Sequence, residues 1–413
     1  MFSVSSKLWS LRCMVPTKVK FFHNGVTRFQ EMASGIHVKS VEALENSTLP
    51  DFISSPNSKL QSMVWQKPVR NVLVTRKPWT KTTKDAMVEL ISYMHDSYPE
   101  INVIVQHDVA KELQEEFPVK LPSSQLPCVL YTGDTQDIVD RTELVVSLGG
   151  DGTILSAVSM FSNTRVPPVL AFSLGTLGFL LPFEFKNYRE VFENVISSRS
   201  KCLHRTRLEC HLVRNGKVTR SQTLHAMNDI FIHRGNSPHL AHMDITIDNE
   251  FLTSTTGDGV ALSTPTGSTA YSLSAGGSIV SPLVPSILLT PICPRSLSFR
   301  PVILPRTSYI KVVISSRVAH DFDEQVLKLS IDGIPQEDLR LGDEIHVRSE
   351  AGTIYVEGSI VPNRKDTSGL SNMKDPKSTG IYCVARTEND WIRGINELLG
   401  FNSGFRAISH KKP

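Results

Sequence analysis

The feature that most limits how this chain can fold is a change in the spacing of its apolar residues near position 202. Before that point, short β-branched runs alternate with helical spacing. Asn71-Val72-Leu73-Val74-Thr75 reads as a buried strand. Met87, Leu90, Ile91 and Met94 then fall at i, i+3, i+4 and i+7, one face of a helix that Pro99 closes. Asn102–Val105, Glu143–Leu148 and Pro168–Phe172 read as further strands, with helices expected over about 153–162 and 187–198. Strands alternating with helices imply a parallel sheet covered on both faces. After 202 the period becomes 2: Leu208, Cys210 and Leu212 alternate with polar residues up to Asn215-Gly216, a hairpin signal. Met243, Ile245 and Ile247 stop at Asp248-Asn249, and Val326–Ile331 stops at Asp332-Gly333; Glu344–Val347 and Thr353–Val356 follow. Many short strands with turn punctuation describe an all-β domain, a sandwich or layered sheets.

This spacing predicts an α/β domain over 66–201 and a β domain over 202–361. Residues 31–65 are polar, broken by Ser and Pro, and read as a linker. Residues 362–380 read as a mobile linker, and 381–413 as a C-terminal helix and tail that Gly400 interrupts.

The net charge of +3 matters less than its placement. Residues 1–30 carry Lys7, Arg12, Lys18, Lys20 and Arg28 and no acid, which leaves 39 basic against 41 acidic residues, a net of −2, in the rest. A near-neutral body argues against nucleic-acid binding driven by bulk charge. No stretch approaches the roughly 20 apolar residues of a membrane span. The basic, Ser-containing N-terminus reads as a mitochondrial transit peptide over 1–30, with a disordered basic tail as the plainer alternative. Six cysteines without a CxxC pair indicate neither a disulfide framework nor a thiolate zinc site.

Three segments carry chemistry. Gly149-Gly150-Asp151-Gly152-Thr153 lies between a strand and a helix, where open α/β sheets bind ligands. Its glycines let backbone N–H groups approach a phosphate. An acid there repels phosphate, so Asp151 makes sense if it faces a hydroxyl or holds magnesium; an Asp-Gly turn with Asp151 as helix cap is the alternative. Residues 257–277 hold Ser263, Ser268, Ser272, Ser274, Thr264, Thr266 and Thr269 among five glycines, a donor-rich loop for a polar ligand, with Tyr271 able to stack on a flat ring. Asn228-Asp229 opens a β run, where both residue types are unfavourable; ribose hydroxyls or a bulge would explain them equally well. His225, His233, His239 and His242 lack a carboxylate or cysteine at ligand spacing, so no protein metal site is expected.

Together with Thr290–Pro294 and Ser296–Pro301, these segments resemble the NAD kinase family over roughly residues 70–360. The Thr-Pro-Thr-Gly-Ser-Thr-Ala-Tyr block is specific to it. The glycine turn alone is shared with phosphofructokinase and diacylglycerol kinase relatives, so the resemblance implies a Rossmann-like parallel α/β domain of that kind plus an all-β C-terminal domain. The basic N-terminus and the tail from Ser368 to Arg406 are most similar to the fungal mitochondrial NADH kinases. Carried over by position, Asp151 is the implied general base and Gly152 its nucleotide-contacting neighbour, with Gly149, Gly150 and Thr153 at phosphate. Phe179, Asn228, Asp229, Asp258, Thr269, Ala270, Tyr271 and Ser274 are implied to bind the dinucleotide. The implied reaction moves the γ-phosphoryl of magnesium-bound ATP to the adenosine 2′-hydroxyl of NADH or NAD, in the mitochondrial matrix, in a homo-oligomer. Two departures stand out: Asp229 where many relatives have Glu, and Thr256 where many have Arg. A lipid or sugar kinase sharing the glycine turn, or a non-catalytic dinucleotide sensor, are the competing readings.

Overall fold

The computed structural model describes residues 36–117, 128–162, 164–175, 178–219, 223–315, 326–350, 353–356, 359–362 and 379–400. The expected transit peptide and most of the expected linker at 362–380 lie outside them. One large sheet contains β1 (Ile36–Ser40), β2 (Asp51–Ser54), β3 (Gln61–Val64), β4 (Asn71–Arg76), β5 (Asn102–Ile104), β6 (Cys128–Thr132), β7 (Leu144–Leu148), β8 (Val169–Ser173), β9 (Phe183–Glu184), β10 (Lys201–Arg205) and β26 (Ile381–Ala385). Its order is β1-β6-β5-β4-β7-β8-β26-β10-β3-β2, with β9 beside β8. The run from β1 to β26 is parallel, and the flank formed by β10, β3 and β2 is antiparallel.

The central strands are apolar on both faces because helices cover both. Val72 and Val74 face one core with Met87, Leu90, Ile91 and Met94 of α1 (Lys81–Ser97), Leu113 of α2 (His107–Glu116), and Phe192 and Val195 of α5 (Tyr188–Ile196). Leu73 faces the other, with Ile138 of α3 (Thr135–Arg141) and Ile154 and Val158 of α4 (Asp151–Ser159). Burying a side chain of this size stabilises by roughly 1.5–3 kcal/mol, so the α1 stripe alone makes that helix part of the sheet's core.

Two segments differ from the sequence reading. Residues 31–65 contain three strands, β1 to β3, rather than a linker. Each is only four or five residues long and lies at or near a sheet edge, so pairing defines it where periodicity is too short to show. Phe52 stacks on Tyr382 at a 3.5 Å centroid distance. The segment 381–413 does not begin as a helix either: β26 enters the first domain's sheet between β8 and β10 before α7 (Asp390–Leu399) and Gly400, whose φ of +59° ends that helix. Similarly β10 extends to Arg205 and belongs to this sheet, past the expected boundary at 201.

The β domain packs two antiparallel sheets over one core. The first runs β12 (Lys217–Val218), β11 (Leu208–Arg214), β23 (Glu344–Ser349), β20 (Tyr309–Ile314), β15 (Ala241–Ile247), β16 (Glu250–Gly257), with β13 (Leu224–Ala226) beside β11. The second runs β19 (Val302–Pro305), β18 (Ser286–Ile292), β17 (Gly259–Ser263), β14 (Asp229–His233), β21 (Lys328–Ile331), β22 (Ile334–Pro335). Leu212, Ile245 and Val312 of the first meet Ile232, Leu262 and Leu289 of the second. β24 (Thr353–Val356) and β25 (Ser359–Pro362) form a separate hairpin. Three two-residue turns join strands as their sequences predict, each with positive φ at both positions: Asn215-Gly216 (52° and 71°), Asp248-Asn249 (52° and 69°) and Asp332-Gly333 (50° and 79°).

A buried ion pair joins the domains. Arg207 donates to Glu350 through Nε (3.0 Å) and Nη2 (2.6 Å), and its Nη1 donates to the carbonyl of Phe161, just beyond α4 (3.0 Å). The Gly380 N–H also donates to Glu350 (2.7 Å), fixing the chain's return into β26. Burial alone would raise the Glu350 carboxyl, but the Arg207 charge and hydrogen bond outweigh it and hold the group at about 2. Burial, reinforced by Arg207, pushes His225 down to about 3.

Arg207→Ala should destabilise by about 3–5 kcal/mol in denaturant unfolding, since it strands a buried carboxylate. Both shifted groups make acid destabilising. Below its ordinary pKa of about 6.5, His225 takes a proton only when unfolded, and Glu350 adds a second loss below about 4.3. The contribution of these two groups to stability should therefore fall from about 6.5 downward and steepen below about 4.5, opposed between about 7 and about 4 by the raised Asp229 carboxyl; the pH dependence lost in His225→Gln reads the histidine's share.

Candidate active site

The glycine turn leaves β7 where strand meets helix. Gly149 has a φ of +156°, its N–H donates to Phe172 (3.1 Å), and a Cβ there would lie 2.5 Å from Thr153 Oγ1. This glycine is required by the fold. Gly150 and Gly152 are different: a Cβ on either would meet nothing within 4 Å. Both border a cleft of about 410 Å³ lined by Thr75, Arg76, Lys77, Gln106, Thr153 and Ser156, beyond the carboxyl ends of β4, β5 and β7. Glycines that packing does not need, beside open space at a helix N-terminus, suit the close approach of a phosphate.

Asp151 opens α4 but does not cap it. Its Oδ2 accepts the Phe179 N–H and its Oδ1 the Leu180 N–H, both at 3.1 Å. The helix-cap alternative is therefore not what the side chain does. Gly178 makes this grip possible, because a Cβ there would collide with Asp151 Oδ1. Burial raises the Asp151 carboxyl above its ordinary value, and the two N–H groups and the Arg205 charge pull it back. Arg205, itself buried, donates from Nη2 to the Phe179 carbonyl (3.3 Å) and from Nη1 to Thr266 Oγ1 (3.2 Å). It thus links the segment that holds Asp151 to the hydroxyl-rich loop of the other domain.

That loop uses many of its hydroxyls on itself. Thr264 Oγ1 donates to Met227 O (2.5 Å) and accepts from Gly267 N–H (3.1 Å); Ser268 Oγ accepts the Val280 N–H (2.9 Å); Ser272 bonds Thr290 (2.8 Å). Thr269 Oγ1 donates to Thr266 O (3.2 Å), and the Ala270 N–H donates to Gly267 O (3.0 Å). These bonds shape a tight turn that presents Tyr271, half-exposed and 4.6 Å from the Phe231 ring, which stacks on His233. Ser274 closes the short helix α6 (Tyr271–Ser274) and is exposed.

Asn228 accepts the Thr264 N–H on its carbonyl (2.9 Å), and the contact leaves no room for a Cβ on Gly267. Asp229 starts β14 opposite Ser263 of β17. Burial first, then the nearby Asp332, raise the Asp229 carboxyl to about 7. Asp258 accepts from Arg234 Nε at 2.7 Å, so it enters the site already paired. Its charge and that of Asp229 both add to the upward shift of the Tyr271 hydroxyl, whose main cause is burial. Asp229 and Asp258 therefore both lie near Tyr271, and Arg205 ties the Phe179 segment that holds Asp151 to Thr266 of the same loop. The four histidines do not converge: His225 is buried beside Arg207, His233 stacks on Phe231, His239 is exposed, and His242 bonds Thr256. Among the described residues, no group of three or more His, Cys, Asp or Glu could hold a metal ion.

Four residues escaped the sequence reading. Gly178, Arg205, Arg234 and Asp332 act on partners 24 to 105 positions away in sequence. The only local signal among them, the Asp332-Gly333 pair, was absorbed as a hairpin turn.

Two family models match the chain: the ATP-NAD kinase N-terminal domain over residues 71–200 and the ATP-NAD kinase C-terminal domain over 227–356. The chain is 63% identical over 386 residues to the mitochondrial NADH kinase POS5 of Saccharomyces cerevisiae, covering 93% of each. It is 36% identical over 379 residues to the mitochondrial NADH kinase pos5 of Schizosaccharomyces pombe, covering 89% of this chain and 86% of that one. A crystal structure of yeast NADH kinase complexed with NADH superposes with a TM-score of 0.77 at 61% identity, covering 90% of this chain and 99% of that one.

Gly178→Ala should push the Asp151 carboxylate off its two N–H donors. A displacement of this kind costs on the order of 10²-fold in turnover, measurable by steady-state kinetics alongside a thermal melt that shows the fold intact.

Proposed function

The chain belongs to the ATP-NAD kinase family, and from that premise we propose that Asp151 is the base that takes the proton from the adenosine 2′-hydroxyl of the dinucleotide. The protein is an NAD(H) kinase. The observation that carries the assignment is the Asp151 carboxylate, held by the Phe179 and Leu180 N–H groups at the mouth of a turn whose Gly150 and Gly152 face open space.

The turn and the N-terminus of α4 receive phosphate, and Lys77 adds positive charge along the cleft, where Arg76 is already paired with Glu112. Asn228, Asp229, Tyr271, Thr269, Ala270, Ser274, Asp258 and Phe179 form the dinucleotide side. Magnesium enters as the Mg-ATP complex, part of the substrate, which fits a site whose described residues offer no cage of their own. There it neutralises charge on the β- and γ-phosphates. Since little covalent chemistry is asked of the protein, catalysis is positioning: Asp151 orients the hydroxyl and accepts its proton as the phosphoryl group transfers. A carboxyl raised by burial is a stronger base than an exposed one.

The protein is mitochondrial, as the two fungal NADH kinases similar to it over most of its length are named. We place it in the matrix, which the acid-free basic N-terminus supports. We expect a homo-oligomer, supported by Phe251 and Leu252 exposed on the edge strand β16.

Asp151→Asn should lose about 10²–10⁴-fold in turnover while still binding dinucleotide; near-normal turnover would remove Asp151 as the base. Activity should also fall as pH drops through the raised Asp151 pKa, placing the acid limb of kcat above the ordinary carboxylate value. Kinetics with NAD and NADH against Mg-ATP read both, along with the preference between redox forms.

A further inference from the structure

Asp332 lies in the turn between β21 and β22, with its side chain directed inward. Its carboxylate accepts the backbone N–H groups of Met227 (2.7 Å), Asn228 (2.7 Å) and Asp229 (3.0 Å), and its own N–H donates to the Asp229 carbonyl (2.9 Å). One side chain therefore brackets the backbone of three successive residues at the start of β14. The Asp229 carboxyl beside it is in a residue only 8% exposed and has no hydrogen-bond partner among the described residues.

Two carboxyls buried this close do not both ionise readily, and one of them retains a proton. Burial raises the Asp332 carboxyl too, but three N–H donors and the Arg207 charge pull it back, whereas Asp229 has no donor. The groups facing Asp229 are Asp332 and the Tyr271 phenol, with Ser263 across the strand pair, so no cation among the described residues balances it. The proton accordingly goes to Asp229.

We propose that Asp332 is a positioning residue for dinucleotide binding: it fixes the Met227–Asp229 backbone and makes Asp229 meet the ligand as a hydrogen-bond donor, not as an anion. The inference rests on Asn228-Asp229 being dinucleotide-binding residues. A protonated carboxyl donates to a ribose or amide oxygen and spares the pyrophosphate a like charge. The upward shift of Asp229 agrees with this assignment. Binding of the neutral form weakens as pH rises through the folded-state pKa.

The test is the dissociation constant of NADH without ATP, from its fluorescence, between about pH 5.5 and about pH 9, for wild type, Asp332→Asn, Asp229→Asn and Asp229→Ala. Asp151 is present in all four, so its own titration is common to them. Wild type should bind well in acid and weaken above about 7. Asp229→Asn, a neutral donor, should bind with little pH dependence, within about threefold of the wild-type acid plateau. Asp332→Asn keeps an oxygen for the N–H groups but no charge, and should move the midpoint about one pH unit or more toward acid. An unchanged midpoint in Asp332→Asn, or no midpoint in wild type, overturns the proposal. If Asp332→Asn does not fold, Asp229→Asn decides alone: a loss of about tenfold or more across the range overturns the donor role. If Asp229→Ala binds as wild type does at every pH, the placement of Asn228-Asp229 at the dinucleotide fails instead.

Discussion

The Arg207–Glu350 pair is the contact on which the relation between the two domains rests. Arg207 follows β10, the last strand the α/β sheet takes from the N-terminal side, and Glu350 follows β23 in the β domain. By also binding the carbonyl of Phe161, Arg207 secures the far end of the helix whose first residue is Asp151. Through Gly380, Glu350 sets the chain's re-entry into the first sheet. A buried pair is a poor source of net stability compared with an apolar isostere. Its value here is geometric: two charges that cannot be left unpaired permit only one arrangement of the segments they touch.

The same device recurs at the site. Two carboxylates, Asp151 and Asp332, are each gripped by backbone N–H groups from a distant segment, 179–180 for one and 227–229 for the other. Backbone donors lack rotamers, so a carboxylate held this way is placed more rigidly than one held by side chains. The glycines sort by the same logic. Gly178 and Gly267 exist because another group needs their space, while Gly150 and Gly152 leave space that none of the described residues fills. The first kind builds the site and the second admits the ligand.

Much of this was legible in the sequence, for identifiable reasons. α1 was readable because four apolar residues at helical spacing are a local signal, and the three hairpins because two successive positive-φ positions require Asn, Asp or Gly. Asp151 stood out because an acid among phosphate-binding glycines conflicts with its neighbours. The loop at 257–277 was read only in part. Its hydroxyls marked it as special, but Thr264, Ser268 and Ser272 are occupied within the fold, which a count of donors cannot reveal. Strands β1 to β3 and β26 were missed because a short strand is defined by its neighbour, and that neighbour lies far away in sequence.

The sequence by itself determined the two kinds of domain, the turn that carries Asp151 and the family to which those residues point, since periodicity, turn chemistry and motif are all properties of adjacent residues. Only the tertiary structure decided that the C-terminal strand completes the first sheet, that Asp151 is held by Phe179 and Leu180, and that Asp332 grips the Met227–Asp229 backbone beside the buried Asp229 carboxyl. Each of these depends on burial and on partners brought together by folding. The charge state of a carboxyl is set by its surroundings, and the order of residues along the chain does not specify those surroundings until the chain has folded.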